Sequence, residues 1–214
     1  MEQCSSEQTA LYKQEIAVRL LKEFPAESEP TFADLTGGFG VDFSYMSKPF
    51  KKALYVERNE QLCNIVTQNF KCLGLNNIST KNGNSIEVLH QLDSVSVLFL
   101  DPARRNSSGG KVVSMADCEP NVLELCDEMV EKSHFVVLKL SPMLDWHSAV
   151  AQLKYVTEVH IVSVGNECKE LLLVLTDRNK TAKGYKSNTI QIFCVNDNDV
   201  FSYEEGIYSE GEKI

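Results

Sequence analysis

Between residues 31 and 195, short apolar and β-branched runs alternate with amphipathic stretches long enough to cross a sheet, and that alternation leaves few folds open. ALYVE (53–57) is followed by a helical pattern at 60–73, ISTKN (78–82) by one at 85–92, and VSVLFLD (95–101) by one near 118–132. FVVLKL (135–140), a short helical stretch at 145–153 and EVHIVSV (158–164) continue the series. Continuously apolar strands are covered on both faces, so the pattern predicts a parallel sheet with helices on both sides. The next run, ELLLVLT (170–176), follows only Gly165 to Lys169, too few residues for a crossover, and is expected to pair antiparallel with its predecessor. A basic loop, Lys180 to Lys186, then leads to TIQIFCV (189–195). The expected fold class is α/β, a mostly parallel sheet with one antiparallel late strand.

Three parts are expected along the chain. In residues 1–30, Leu11, Ile16, Leu20 and Leu21 recur at helical spacing behind Ser6 and Glu7, and PAESEP closes the helix. Residues 31–195 form the sheet domain, and 196–214 form a polar, acidic tail that is frayed or leads into a further domain. With 214 residues, 43% hydrophobic and 24% charged, the chain supports one core and excludes a disordered or fibrous protein. Thirty acidic residues against 21 basic give a net charge of -9, so a nucleic-acid partner needs a local basic patch or another domain. The seven cysteines contain no C-x-x-C pair and the histidines no H-x-x-x-H spacing, so neither a disulfide framework nor a metal site is expected. No apolar run approaches the ~20 residues that span a bilayer, and the start is polar; the reading is cytoplasmic, with no membrane partner.

The chemistry gathers in the turns. In FADLTGGFGVDF the first strand ends at Asp34 and the chain passes Thr36, Gly37, Gly38 and Gly40 before Val41 and Phe43. A dinucleotide fingerprint needs glycine where Phe43 stands, and no phosphate-binding G-x-x-x-x-G-K-[ST] is present. An acid beside a glycine turn suits the cationic end of an amino acid better than a pyrophosphate. Glu57, with Arg58 after it, closes the second strand 23 residues beyond Asp34, and its carboxylate can accept both hydroxyls of a ribose. Gly83-Asn84-Ser85 follows the third strand, where a side-chain amide suits an adenine edge, and Asp101-Pro102-Ala103-Arg104-Arg105 follows the fourth. Each feature alone is an ordinary turn, helix start or solvated loop; together they occupy the carboxyl edge of the sheet, where open α/β folds bind ligands.

These residues resemble the class I S-adenosylmethionine-dependent methyltransferases, whose motif D/E-x-x-x-G-x-G is matched by Asp34, Gly38 and Gly40, with Glu57 and Asp101-Pro102 at the later strand-end positions. DLTGGFGVD with DPARR and the leading QCSSEQTA is similar to a bacterial group of candidate methyltransferases, related to RNA methyltransferases, that carry a THUMP-like region. The resemblance covers nearly the whole chain and implies a Rossmann-like sheet. By the same resemblance, S-adenosyl-L-methionine is the cofactor. Asp34, Thr36, Gly38 and Gly40 would line its methionine end, Glu57 and Arg58 its ribose, and Asn84 and Ser85 its adenine. Gln3 to Thr9 would cover it, and Asp101 would reach the reacting end.

The sequence departs from the pattern at Thr36, where many members have glycine, at Asn84, where many have aspartate, and at DPARR, where amino-group methyltransferases end in an aromatic ring. Asp101, Pro102 and Arg104 are the catalytic candidates: Asp101 orients a target amine and Arg104 stacks a base or binds phosphate. The expected substrate is RNA, with a base nitrogen favoured, and a protein substrate stays open. The rival is a non-catalytic scaffold or sensor that keeps the cofactor pocket. A nucleotide-dependent oxidoreductase is disfavoured by the missing third glycine.

Overall fold

The structure is a computed structural model and describes residues 4–25, 28–104, 115–180 and 189–206, without the side chains of Arg104 and Asp117. Helix α1 (Glu7–Leu21) starts where Ser6 accepts the Thr9 N–H at 3.2 Å. Strand β1 (Thr31–Asp34), helix α2 (Val41–Met46), β2 (Lys52–Glu57), α3 (Glu60–Cys72), β3 (Ile78–Asn82), α4 (Ser85–Gln91) and β4 (Val95–Leu100) follow. A two-residue ribbon, β5 (Ala103–Arg104) with β6 (Cys118–Glu119), precedes α5 (Val122–Glu131), β7 (Ser133–Leu140) and α6 (Trp146–Gln152). The chain ends in β8 (Val156–Val164), β9 (Glu167–Leu175), β10 (Thr189–Asn196) and β11 (Asp199–Gly206).

Nine of these strands form one sheet in the order β11-β10-β8-β9-β7-β4-β1-β2-β3. Strands β1 to β4, β7, β8 and β10 run one way, and β9 and β11 run against them. The expected antiparallel strand is β9, joined to β8 by the two-residue turn Gly165-Asn166, both at positive φ, and inserted between β7 and β8. The stretch after Asn196, expected as a tail, instead turns at Asp197 and adds edge strand β11 over residues 199–206. Six of its eight residues are exposed, so its side chains show no alternation, and the backbone ladder to β10 decides it.

Helices cover both faces, as the sequence predicts. On one face α4, α5 and α6 pack Val88, Leu89, Val122, Met129 and Ala149 against Leu98, Val136 and Leu173. On the other, α1, α2 and α3 pack Leu20, Phe43 and Phe70 against Phe32, Tyr55, Val97 and Phe135. Among the described residues no helix is long and apolar enough to cross a membrane, and no group of acidic, His and Cys side chains is placed to hold a metal.

Candidate functional site

Side chains alternate across a strand, and here the alternation places five ionisable groups on one face. Phe32, Ala53 and Tyr55, Val97 and Phe99, and Phe135 and Val137 belong to the apolar layer beneath α1–α3. The next position on that face of each strand is Asp34, Glu57, Asp101 or Lys139. On the reversed β9, Leu172 and Val174 share the layer, and the position before them is Glu170. Each strand thus ends its buried stripe in a charge at the same edge. Strand order reverses between β1 and β4, so Asp34 and Asp101 flank the switch point of the sheet.

The glycine turn sits on an aromatic floor. Phe43, Tyr55 and Phe70 meet with ring centroids 5.0–5.4 Å apart. A Cβ at Gly37 would lie 2.0 Å from the Tyr55 ring, and one at Gly40, where φ is +75°, would lie 2.6 Å from Val66. Gly38 differs: a Cβ there would meet only the Thr36 carbonyl at 3.8 Å, so its face of the turn is open. Its carbonyl accepts from the Tyr55 hydroxyl, and its N–H donates to Glu57 Oε2 at 3.1 Å. Glu57 Oε1 accepts the Asn59 N–H at 2.7 Å, leaving each carboxylate oxygen with further acceptor capacity.

Asp34 is buried and accepts the Thr36 N–H at 2.9 Å. Burial pushes its pKa well above the usual carboxylate range, and the Asp42 and Asp101 charges add to the shift, against the pull of the Thr36 hydrogen bonds. Thr36 Oγ1 accepts the Asp101 N–H at 2.6 Å, tying the ends of β1 and β4 together. The hydroxyl that replaces a glycine in the motif therefore serves the protein itself.

Asp101 leads to groups that sequence reasoning missed. Its Oδ2 accepts from Lys139 Nζ at 2.7 Å, and Lys139 also lies 3.4 Å from Asp42 and 3.9 Å from Glu170. Lys13, on α1, pairs with Asp42 at 3.1 Å and with Glu170. The Ser5 hydroxyl sits among them, 2.8 Å from Asp42 and 2.9 Å from Glu170, and accepts from both lysines at 3.2 Å. Burial raises the Asp101 pKa although Lys139 opposes the shift. A signal was present: Lys139 and Glu170 are single charges at the edges of otherwise apolar runs. Phe39, 62% exposed between Gly38 and Gly40, is a further unforeseen group at this edge; Met143 after β7, which the sequence suggests as core or rim packing rather than substrate stacking, is 76% exposed.

The remaining candidates are placed as follows. Asn84 caps α4, its Oδ1 accepting the Ile86 N–H at 2.8 Å, so the cap uses its oxygen and not its amide NH₂; Ser85 begins the helix. Arg58 donates to Glu119 at 2.9 Å, across to β6. Pro102 is buried, and Arg104 is paired through its backbone with Cys118. The Arg104 side chain, Arg105 with the NSSGGK loop, Gln3, and residues 181–188 of the basic loop lie outside the described residues.

No protein-family model matches the chain, and no curated protein matches it. Solved structures do. A protein from Porphyromonas gingivalis W83 described as a candidate methyltransferase is 27% identical over 96% of this chain, with a TM-score of 0.77. The match spans 49% of that protein, so this chain is about half its length. A SAM-dependent methyltransferase from Agrobacterium tumefaciens matches 70% of this chain and 50% of its own at 15% identity and a TM-score of 0.52. An rRNA methylase from Streptococcus thermophilus matches 75% of this chain and 93% of its own at 16% identity and a TM-score of 0.52. In architecture, from the β1 and β4 switch point to the inserted antiparallel β9, this chain carries the Rossmann-like methyltransferase fold.

Proposed function

We propose that the chain is a cytoplasmic S-adenosylmethionine-dependent methyltransferase domain acting on RNA, of the bacterial group with a THUMP-like region. The observation that carries the reading is the set of strand-end acids Asp34, Glu57 and Asp101 around the open face of Gly38, at the strand-order reversal. The residues fit the cofactor. Asp42, Asp101 and Glu170 outnumber Lys13 and Lys139, a surplus of negative charge suited to a cationic ligand. Glu57 keeps acceptor capacity for two ribose hydroxyls, and Asn84 keeps donors for an adenine nitrogen.

When bound, the cofactor supplies an electrophilic methyl group on a sulfonium. Asp101 would then be the group that meets the acceptor. For a base nitrogen, the acceptor the sequence favours, its carboxylate would accept an N–H of the target amine, and Arg104 follows in the sequence where amino-group methyltransferases have a stacking ring. An rRNA methylase among the proteins of this fold supports RNA as the substrate class.

Calorimetric titration with S-adenosylmethionine and S-adenosylhomocysteine, with NAD as control, tests the cofactor. Micromolar binding of the first two alone is expected; failure of both to bind refutes the reading. Glu57→Ala is expected to weaken binding by roughly 1.5–3 kcal/mol, the range for hydrogen bonds to a charged group. Unchanged affinity in a folded variant would remove Glu57 from the ribose.

A further inference from the structure

The Lys139 ammonium bears on which atom receives the methyl. It donates to Asp101 Oδ2 at 2.7 Å, to Ser5 Oγ at 3.2 Å and to Asp42 Oδ2 at 3.4 Å. Burial works against its charge, but Asp101, Asp42 and Glu170 outweigh burial and push its pKa above the ordinary lysine range. It is a fixed cation beside the carboxylate that faces the acceptor.

A base amine gains nothing from such a neighbour. It brings N–H donors of its own and becomes more positive as it takes a methyl, and a cation within a few ångströms raises that barrier. A hydroxyl is the opposite case. Its oxygen accepts from an ammonium, its proton goes to a carboxylate, and the negative charge that develops on oxygen lies against the cation. The cluster already holds one hydroxyl in this manner: Ser5 Oγ accepts from Lys13 and Lys139 and has Asp42 and Glu170 as acceptors for its proton. The Asp101 side chain, 38% exposed against 12% or less for Lys13, Asp42, Lys139 and Glu170, marks the side from which an acceptor enters.

We propose that Lys139 and Asp101 form an acceptor site for a hydroxyl, which takes the Lys139 N–H now given to Asp42 at 3.4 Å, so that the methyl group is carried to oxygen. In RNA this is the ribose 2′-hydroxyl, the free hydroxyl of each internal nucleotide. The assignment rests on the methyltransferase reading above. The hydroxyl oxygen bonds the methyl carbon as the carbon–sulfur bond breaks, and that electron pair leaves with sulfur. The hydroxyl proton passes to the Asp101 carboxylate and on to water, so the products are a methyl ether, a neutral thioether and a proton. Glu170 and Lys13 are positioning residues that hold Lys139 and Asp42 in place.

The test incubates the full chain with methyl-labelled S-adenosylmethionine and transcripts of ribosomal and transfer RNA made in vitro, then compares alkaline hydrolysis with complete digestion to nucleosides. Label is expected in alkali-resistant dinucleotides. Lys139→Met is expected to lower kcat at least about 100-fold, with partial recovery in Lys139→Arg. In both variants the calorimetric affinity for S-adenosylhomocysteine should change less than about threefold, which a general loss of structure would not permit. Label on a base nitrogen, or cofactor binding with no transfer to any transcript, overturns the oxygen acceptor and spares the cofactor assignment. An unchanged kcat in Lys139→Met overturns the role of Lys139. Failure of the unaltered chain to bind S-adenosylhomocysteine overturns the underlying reading instead.

Discussion

Two ionic clusters hold helix α1 to the sheet, one at Lys13 and one at Arg19, about one and two-thirds turns further on. At Lys13, two ammoniums face the three carboxylates of Asp42, Asp101 and Glu170, with buried Asp34 behind, and the group opens to solvent at Asp101. At Arg19, the guanidinium grips both oxygens of Glu158, His160 Nε2 meets Glu158 at 3.1 Å, and the Tyr12 hydroxyl meets His160 Nδ1 at 2.8 Å. The Phe193 ring stacks on His160 at 4.5 Å and lies 5.4 Å from the guanidinium. Burial opposes the Glu158 charge, yet the His160 and Arg19 hydrogen bonds hold its pKa well below the carboxylate range, while burial holds His160 below its usual value. The second cluster pairs one guanidinium with one carboxylate and buries both Glu158 and His160, which suits it to fixing α1 against β8. The first has surplus charge and an open side, which suits it to a cationic ligand and a proton in transit.

The contrast can be broken by mutation. Glu158→Ala is expected to cost about 3–5 kcal/mol in denaturant unfolding, because it leaves Arg19 and His160 without their carboxylate. A loss under about 1 kcal/mol would mean that the Arg19 cluster is not what secures α1.

The two clusters also oppose each other in pH dependence. With a native pKa below about 6.5, His160 binds fewer protons folded than unfolded, so its share of stability is lost as pH falls from about 6.5 toward that native value. Glu158, also lowered, adds a loss of the same sign below about pH 4.5. Asp34, raised, has the other sign: its charge costs stability as pH rises above about 4. Unfolding midpoints across pH should show the first loss in the unaltered chain and its absence in His160→Gln.

Asp34→Asn should therefore stabilise the chain by about 1–2 kcal/mol at neutral pH, the gain growing as pH rises above about 4, while cofactor affinity falls. A variant that is no more stable would place the charge cost elsewhere. The smallest effect belongs to Tyr12→Phe, expected to cost about 1 kcal/mol in thermal unfolding for the hydrogen bond to His160, with cofactor affinity unchanged.

The sequence by itself determined the parallel sheet, because strand and helix periodicities and loop lengths are local properties. The five residues from Gly165 to Lys169 already required a reversed strand, and Asp34, Glu57 and Asp101 were legible because each closes an apolar run at a turn. Only the tertiary structure decided that Lys13, Asp42, Lys139 and Glu170 meet at Asp101. Insertion of β9 between β7 and β8 sets Leu171 opposite Leu140 and Leu172 opposite Lys139, which brings Glu170 to the same edge. Strand order depends on pairing between distant segments, and one charge at the edge of an apolar run carries no local sign of the partner it will meet. Strand β11 was hidden for a related reason: an exposed edge strand is held by backbone hydrogen bonds to its neighbour, and its side chains, polar and apolar alike exposed, record none of them.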